Sequence, residues 1–101
     1  MRPKTQHLVL MALKDGPKHG YQIIKYIEEK TQYFSMGYGT LYPALHSLEN
    51  EKSIKGEWEA AGENKEKKIY ELTAKGRKEV SSVTEEFRAF SKALSKLMGA
   101  T

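Results

Sequence analysis

Polar side chains that can exchange hydrogen bonds with a partner share one face of a helix predicted to begin near Thr40. The opposite face is apolar, because leucines recur at i, i+4 and i+7 from Leu41. Thr40 is expected to cap this helix or to contact a phosphate, and Pro43 fits a first-turn position where backbone N–H groups have no partner. The candidate contact residues of the polar face are Thr40, Tyr42, Pro43, His46 and Ser47. Their groups suit phosphate oxygens and base edges, with packing of Tyr42 and plain solvation of His46 and Ser47 as the alternatives.

A second group of candidate residues is cationic. Lys65, Lys67 and Lys68 lie within four residues, beside a turn that contains Gly62. Such a cluster is often a solvated loop tip, but ammonium groups next to a polar helix face also bind phosphates. We therefore predict that at least one of the three lysines contacts phosphate.

Catalytic and metal-binding patterns are missing from the sequence. His7, His19 and His46 are scattered, with no carboxylate or second histidine at the spacing of a metal site. There is no cysteine, no glycine-rich phosphate loop, no serine elbow and no paired acidic constellation. We therefore expect a protein that is not an enzyme and that uses no metal or cofactor.

Length and composition fit one small globular domain. The chain has 101 residues, of which 39% are hydrophobic, and a net charge of +4 from 17 Lys and Arg against 13 Asp and Glu. This balance weakly favours an acidic partner such as nucleic acid, although residues 32–53 are close to neutral. No apolar run approaches the ~18 residues of a membrane span, and no signal peptide is recognisable at the start. A cytoplasmic protein without a membrane partner is expected.

The elements that would position these side chains are helices followed by a hairpin. Apolar spacing predicts helices over residues 5–14 and about 19–30, before the helix that begins near Thr40. Two alternating segments, 54–59 and 68–72, predict a β-hairpin in which Trp58 points toward the core. This order is that of a winged helix–turn–helix, an α+β fold that is mostly helical. A helix fits the ~12 Å width of the DNA major groove, but winged helices also bind RNA or proteins.

The last predicted helix begins after Thr73 and reaches about Met98. Its apolar residues are separated by 3, 4, 3, 4 and 3 positions, which is an unbroken heptad seam. The seam consists of Val80, Val83, Phe87, Phe90, Leu94 and Leu97. A helix of about 26 residues extends ~39 Å, so the seam predicts a homodimer interface, with packing on its own domain as the alternative. The chain is divided accordingly into a winged helix–turn–helix at 1–72 and a dimerisation helix at 73–101.

Four segments of the chain carry a recognisable pattern. They read GPKHGYQI at 16–23, GTLYPAL at 39–45 with LE at 48–49, IKGEWE at 54–59, and KKIYELTAKG at 67–76. In this order and spacing, over about residues 5–78, they resemble the PadR family of bacterial transcriptional regulators. Gln22 stands where glutamate is commoner, and Lys67 and Lys68 stand where the pattern often has arginine. The single short C-terminal helix is similar to one subgroup of the family.

The resemblance implies a homodimer that binds a pseudo-palindromic operator in double-stranded DNA, usually as a repressor, and that a small aromatic or cationic effector often releases. It favours a DNA contact for Tyr42. His19 and Tyr21, at the start of the second helix, are expected either to contact the DNA backbone or to pack and cap the turn. An effector pocket would lie between the two last helices and the first helix, at Leu8, Met11, Phe87 and Phe90. The alternatives are a protein-interaction adaptor and an RNA-binding winged helix.

Overall fold

The computed structural model describes residues 3–60, 62 and 66–99, and within them the chain forms four α-helices and three β-strands. The helices are α1 (Thr5–Ala12), α2 (Gly20–Thr31), α3 (Tyr38–Asn50) and α4 (Ala74–Met98). The strands are β1 (Lys18–His19), β2 (Ile54–Ala60) and β3 (Glu66–Leu72). This content confirms the mostly helical α+β fold predicted from the sequence.

The core forms where α1 meets the other three helices. Because α1 is apolar on most sides, it packs on α2, α3 and α4 at once. It ends at Ala12, two residues before the predicted end, with Leu13 as its C-cap. The leucine face of α3 is buried as predicted, and Leu41, Leu45 and Leu48 are each at most 1% exposed. The polar face of α3 is thereby turned outward.

The sheet contains one strand that sequence patterns did not predict. The strand order is β1–β3–β2 and both pairs are antiparallel, with Lys18 opposite Tyr70 and His19 opposite Ile69. A strand of two residues is too short to leave an alternating pattern. By pairing with β3, β1 fixes the start of α2 against the hairpin.

The hairpin of β2 and β3, here called the wing, has the predicted alternation, but less of it is buried than the sequence suggested. Ile54 lies opposite Leu72 and both are buried, whereas Trp58 lies opposite Lys68 and is 66% exposed. The prediction of Trp58 as a core residue was wrong. Trp58 does share a face with Ile54, but the helices cover only the part of that face nearest the body. Lys65 lies outside the described residues.

The start of α3 also differs from the expectation. Gly37 is the N-cap and no side chain caps the helix, so the prediction of Thr40 as a cap was wrong. Thr40 lies in the first turn. Pro43 lies beyond it, inside the helix, so the prediction of a first-turn position for Pro43 was wrong. Proline at this position removes the hydrogen bond to the carbonyl of Gly39. Gly39 itself is exposed.

The helix α4 begins as predicted, with the Thr73 side chain accepting a hydrogen bond from the backbone N–H of Gly76 at 3.1 Å. Its first turns join the core, since Gly76 and Val80 are buried. The far end extends past the body, and the molecule measures 56 × 27 × 22 Å. None of the helices in the described part of the chain has the length and apolar character needed to cross a membrane.

Candidate nucleic-acid interface

The outward face of α3 is aromatic at its start and polar along its length. Tyr38 and Tyr42 are each 47% exposed, and their rings stack with centroids 5.6 Å apart. Thr40, Pro43 and His46 are exposed, and Ser47 is half-buried. The structure therefore brings the five residues predicted for this face together on one accessible surface. Tyr38 was missed, although its spacing of four from Tyr42 is a signal for the same helix face.

The phenol of Tyr42 lies against the first residue of α2. A Cβ added to Gly20 would come within 2.8 Å of the Tyr42 hydroxyl and 3.4 Å of Leu41. The missing side chain at Gly20 thus lets α2 and α3 approach closely. Tyr42 is supported on two sides, by Gly20 and by the Tyr38 ring, and part of its surface stays accessible.

His19 and Tyr21 lie beside this face at the start of α2. His19 is the N-cap of α2. Its Nδ1 accepts a hydrogen bond from the backbone N–H of Gln22 at 3.3 Å, and its backbone N–H donates to Gln22 Oε1 at 3.0 Å. Burial first, and then the positive charge of Lys67, lower the pKa of His19 below its usual value, so the ring stays a neutral acceptor. Tyr21 is 55% exposed and stacks on His19 at 6.4 Å. The capping prediction for His19 is confirmed.

A groove of about 330 Å³ separates these helix starts from the wing. We call it the aromatic groove. It is lined by His19, Gly20, Tyr21, Tyr38, Tyr42, Trp58, Glu66, Lys67, Lys68 and Tyr70. Burial first, and then the charge of Glu49, raise the pKa of Tyr70 to about 12, so this phenol stays protonated at neutral pH. The groove is therefore rich in aromatic surface and hydroxyl groups, with two lysines on the wing side.

The two described lysines of the cluster differ in their surroundings. Lys67 is exposed, and its side chain lines the groove. Lys68 is half-buried, and its ammonium lies 3.0 Å from both carboxylate oxygens of Glu49. A cation already paired in this way carries less net charge toward a partner. Lys67 thus has the more accessible charge, whereas the charge of Lys68 is paired with Glu49.

The predicted seam on α4 divides into a buried and an exposed part. Val80 is 6% exposed and packs in the core of its own chain, which removes it from the predicted seam. Val83 and Phe87 are half-buried, and the Phe87 ring contacts His7 edge to face at 6.1 Å. Phe90, Leu94 and Leu97 are 37%, 40% and 86% exposed. The distal three residues therefore form an uncovered apolar stripe, joined by Met98, which is 67% exposed.

The residues predicted for an effector pocket lie on α1 and α4, two helices that pack on each other. Leu8 and Met11 on α1 are half-buried, as is Phe87. Leu8 packs against the edge of the core. In the described part of the chain, no three His, Asp or Glu side chains are arranged to hold a metal ion.

Comparison with known proteins identifies the family. The chain matches the Transcriptional regulator PadR-like family over residues 9–82, well over half of its 101 residues. The chain belongs to the PadR-like family. Membership confirms the resemblance seen in the sequence motifs. Because the family consists of transcriptional regulators, it also confirms that this PadR-like chain is not an enzyme.

Individual relatives agree with this assignment. The negative transcriptional regulator PadR of Bacillus subtilis (strain 168) is 33% identical over 76 residues, which cover 74% of this chain and 42% of the relative. The crystal structure of Bacillus subtilis PadR in complex with operator DNA has a TM-score of 0.73 at 31% identity, covering 78% of this chain and 44% of that one. This PadR-like chain thus spans less than half the length of that relative.

A shorter relative matches nearly the whole chain. The structure of a transcriptional regulator from Clostridium thermocellum has a TM-score of 0.79 at 30% identity and covers 91% of this chain and 87% of that one. The shared fold therefore includes the long last helix as well as the winged helix–turn–helix. The similarity confirms the fold class predicted for this PadR-like chain.

Proposed function

We propose that this PadR-like chain binds operator DNA as a homodimer, through α3 and the wing, and represses transcription. The observation that carries the proposal is the exposed polar face of α3 beside the aromatic groove and Lys67. The Bacillus subtilis relative, a negative transcriptional regulator, was crystallised with operator DNA. Repression follows when a bound dimer blocks access to the DNA that it covers.

The α3 face is suited to the major groove. An α-helix fits this groove, and base edges there present distinct donors, acceptors and thymine methyl groups. Tyr42, His46 and Ser47 would contact these edges or nearby phosphates, and Thr40 and Pro43 would lie at the helix start. Lys67, His19 and Tyr21 would contact the backbone that passes the aromatic groove, and Lys65 is proposed as a further phosphate contact.

The exposed stripe of Phe90, Leu94 and Leu97 supports the homodimer. These residues repeat at spacings of 4 and 3 on the distal part of α4, where the rest of the chain leaves them uncovered. A second copy of α4 would bury the stripe and hold two α3 helices on one face of DNA. We further propose Leu8, Met11, Phe87 and Phe90 as the place where a small aromatic or cationic effector would act. The proposal is supported by the packing of α1 on α4 and by the partial exposure of these apolar side chains.

The dimer is tested by sedimentation of Leu97→Asp. Leu97 is 86% exposed, so the charge leaves the core of the chain intact. We expect the wild type to sediment as a dimer at micromolar concentration and the variant as a monomer. Lys92→Asp, on the opposite side of α4, is the matched control and should remain dimeric. A monomeric wild type, or a dimeric Leu97→Asp protein, would overturn the interface.

DNA binding is tested with duplexes selected from a random library. Fluorescence anisotropy over a range of salt concentrations should show affinity that falls steeply with salt. Lys67→Ala should lower the magnitude of the log–log salt slope by about 0.9, as expected for one lost phosphate contact. Lys92→Ala, on the far end of α4, should leave the slope unchanged. Tyr42→Ala should weaken binding about tenfold, equivalent to about 1.4 kcal/mol.

Two outcomes would contradict the proposal. Failure to enrich any duplex would remove sequence-specific DNA binding. Binding that is indifferent to salt, and that single-stranded RNA or a protein partner competes away, would favour the adaptor or RNA-binding alternatives.

A further inference from the structure

The side chain of Lys68 crosses the wing to reach the recognition helix. Lys68 lies on β3, and its ammonium is 3.0 Å from both carboxylate oxygens of Glu49, which lies in the last turn of α3. Both side chains are about one-quarter exposed. An ion pair shielded to this extent is screened less by solvent than a fully exposed pair. It links two residues that are 19 positions apart in sequence.

Gly56 on β2 provides the space that this pair occupies. A Cβ added at Gly56 would lie 2.5 Å from the Lys68 Cε and 3.1 Å from the Glu49 Oε2. A glycine inside a strand weakens it, and it often marks a place where another group approaches closely. Here the approaching groups are the aliphatic stem of Lys68 and the carboxylate that it meets.

Two aromatic rings flank the same ammonium group. The Nζ of Lys68 lies 5.8 Å from the centroid of the Trp58 ring and 5.6 Å from that of Tyr70. Cations within about 6 Å of a ring centroid are attracted to the ring. Lys68 therefore contacts both strands of the wing and α3 at once, and Trp58 lies next to it on the exposed part of the wing.

We propose that Glu49 and Lys68 are positioning residues that hold the wing in a fixed orientation relative to α3, and that Gly56 makes this bridge possible. The inference rests on the proposed DNA binding, because a fixed wing places Lys67 and the aromatic groove relative to the helix in the major groove. Lys68 then contributes to affinity through geometry, while Lys67 contributes through its charge.

The first test needs no DNA. Trp58 is the single tryptophan of the chain, so its fluorescence anisotropy decay reports motion of the wing. Glu49→Gln leaves Lys68 and Trp58 themselves unchanged but removes the charge that fixes the ammonium. We expect faster local motion of Trp58 in Glu49→Gln, in Lys68→Met and in Gly56→Ala, which displaces the lysine stem without changing any charge. Lys67→Met is the matched control and should behave as the wild type.

The second test measures affinity for a selected duplex. Glu49→Gln removes a negative charge, so simple electrostatics predicts tighter binding to DNA. The positioning role predicts the reverse: Glu49→Gln and Lys68→Met each weaken binding by about 3- to 10-fold, with the salt slope unchanged. The double variant should bind no more weakly than Lys68→Met, because both changes break the same bridge.

The outcomes separate this inference from the proposed function. Wild-type motion of Trp58 in both Glu49→Gln and Gly56→Ala would overturn the bridge. Tighter binding by Glu49→Gln, together with a salt slope reduced by about 0.9 in Lys68→Met, would also overturn it and make Lys68 a phosphate ligand. If the wild type binds no duplex, the proposed function fails, and the Trp58 measurement still decides whether the bridge fixes the wing.

Discussion

Replacing Gly76 with alanine is expected to destabilise this protein, although alanine is the better helix former. Gly76 lies in the first turn of α4, where the helix passes over the residue that precedes β2. An added Cβ would overlap the carbonyl oxygen of Ser53 and lie 3.1 Å from its carbonyl carbon, against about 3.5–4.0 Å for an ordinary contact between carbon atoms. The start of α4 would have to move away from Ser53.

The hydrogen bonds of Thr73 contribute to the expected loss of stability. Its N–H donates to the Ser53 carbonyl at 3.1 Å, and its hydroxyl lies 3.0 Å from the same oxygen. Movement of the helix start lengthens these bonds, which contribute about 0.5–1.5 kcal/mol each, and overpacking adds about 1–3 kcal/mol. Alanine regains about 1 kcal/mol of helix propensity. The free energy of unfolding should therefore fall by about 1–5 kcal/mol.

Urea denaturation followed by far-UV circular dichroism measures this change. Gly39→Ala is the matched control, because Gly39 also lies in a helix but an added Cβ would meet no atom within 4 Å. The control should keep or gain up to about 1 kcal/mol of stability. A Gly76→Ala protein as stable as the wild type would refute the close approach of α4 to Ser53.

Two further perturbations test the fold. The pKa of His19 is lowered in the folded protein, so around this pKa the folded state binds fewer protons than the unfolded state. The stability contributed by the neutral His19 ring is therefore complete above about pH 6.5. This stability is lost as the pH falls through the lowered pKa. In urea titrations between about pH 7.5 and 5.5, His19→Asn, which keeps a capping side chain, should lose less stability than the wild type, and a parallel decline would contradict the assignment. Leu45 is 1% exposed, so Leu45→Ala should lower the free energy of unfolding by about 2–5 kcal/mol. A loss below about 1 kcal/mol would show that the leucine face of α3 does not pack in the core.

Local patterns predicted the helices and the wing because their periodicity is long enough to read. The leucine repeat of α3 reflects which side chains must be buried. The seam of α4 was read correctly as apolar, but its first residue, Val80, joined the core of its own chain. A heptad pattern alone carries no information on which of two apolar surfaces covers each turn.

Contacts between segments that are distant in the chain could not be predicted from local sequence patterns. The two residues of β1 acquire strand geometry only by pairing with β3. Trp58 was assigned to the correct face of β2. The sequence did not show that the helices cover this face at Ile54 but not at Trp58. The pairing of Lys68 with Glu49 likewise requires the two elements to be brought together, so the cluster of lysines could be counted but not divided into paired and exposed members.

Hydroxyl-radical footprinting of the dimer on a selected duplex tests the central claim most directly. Two copies joined along α4 and reading DNA through α3 should protect two symmetry-related half-sites, with centres about 34 Å apart or a whole multiple of that distance. Leu97→Asp should abolish the paired protection at the same protein concentration. A single protected patch, or the same paired footprint in the Leu97→Asp protein, would contradict the account.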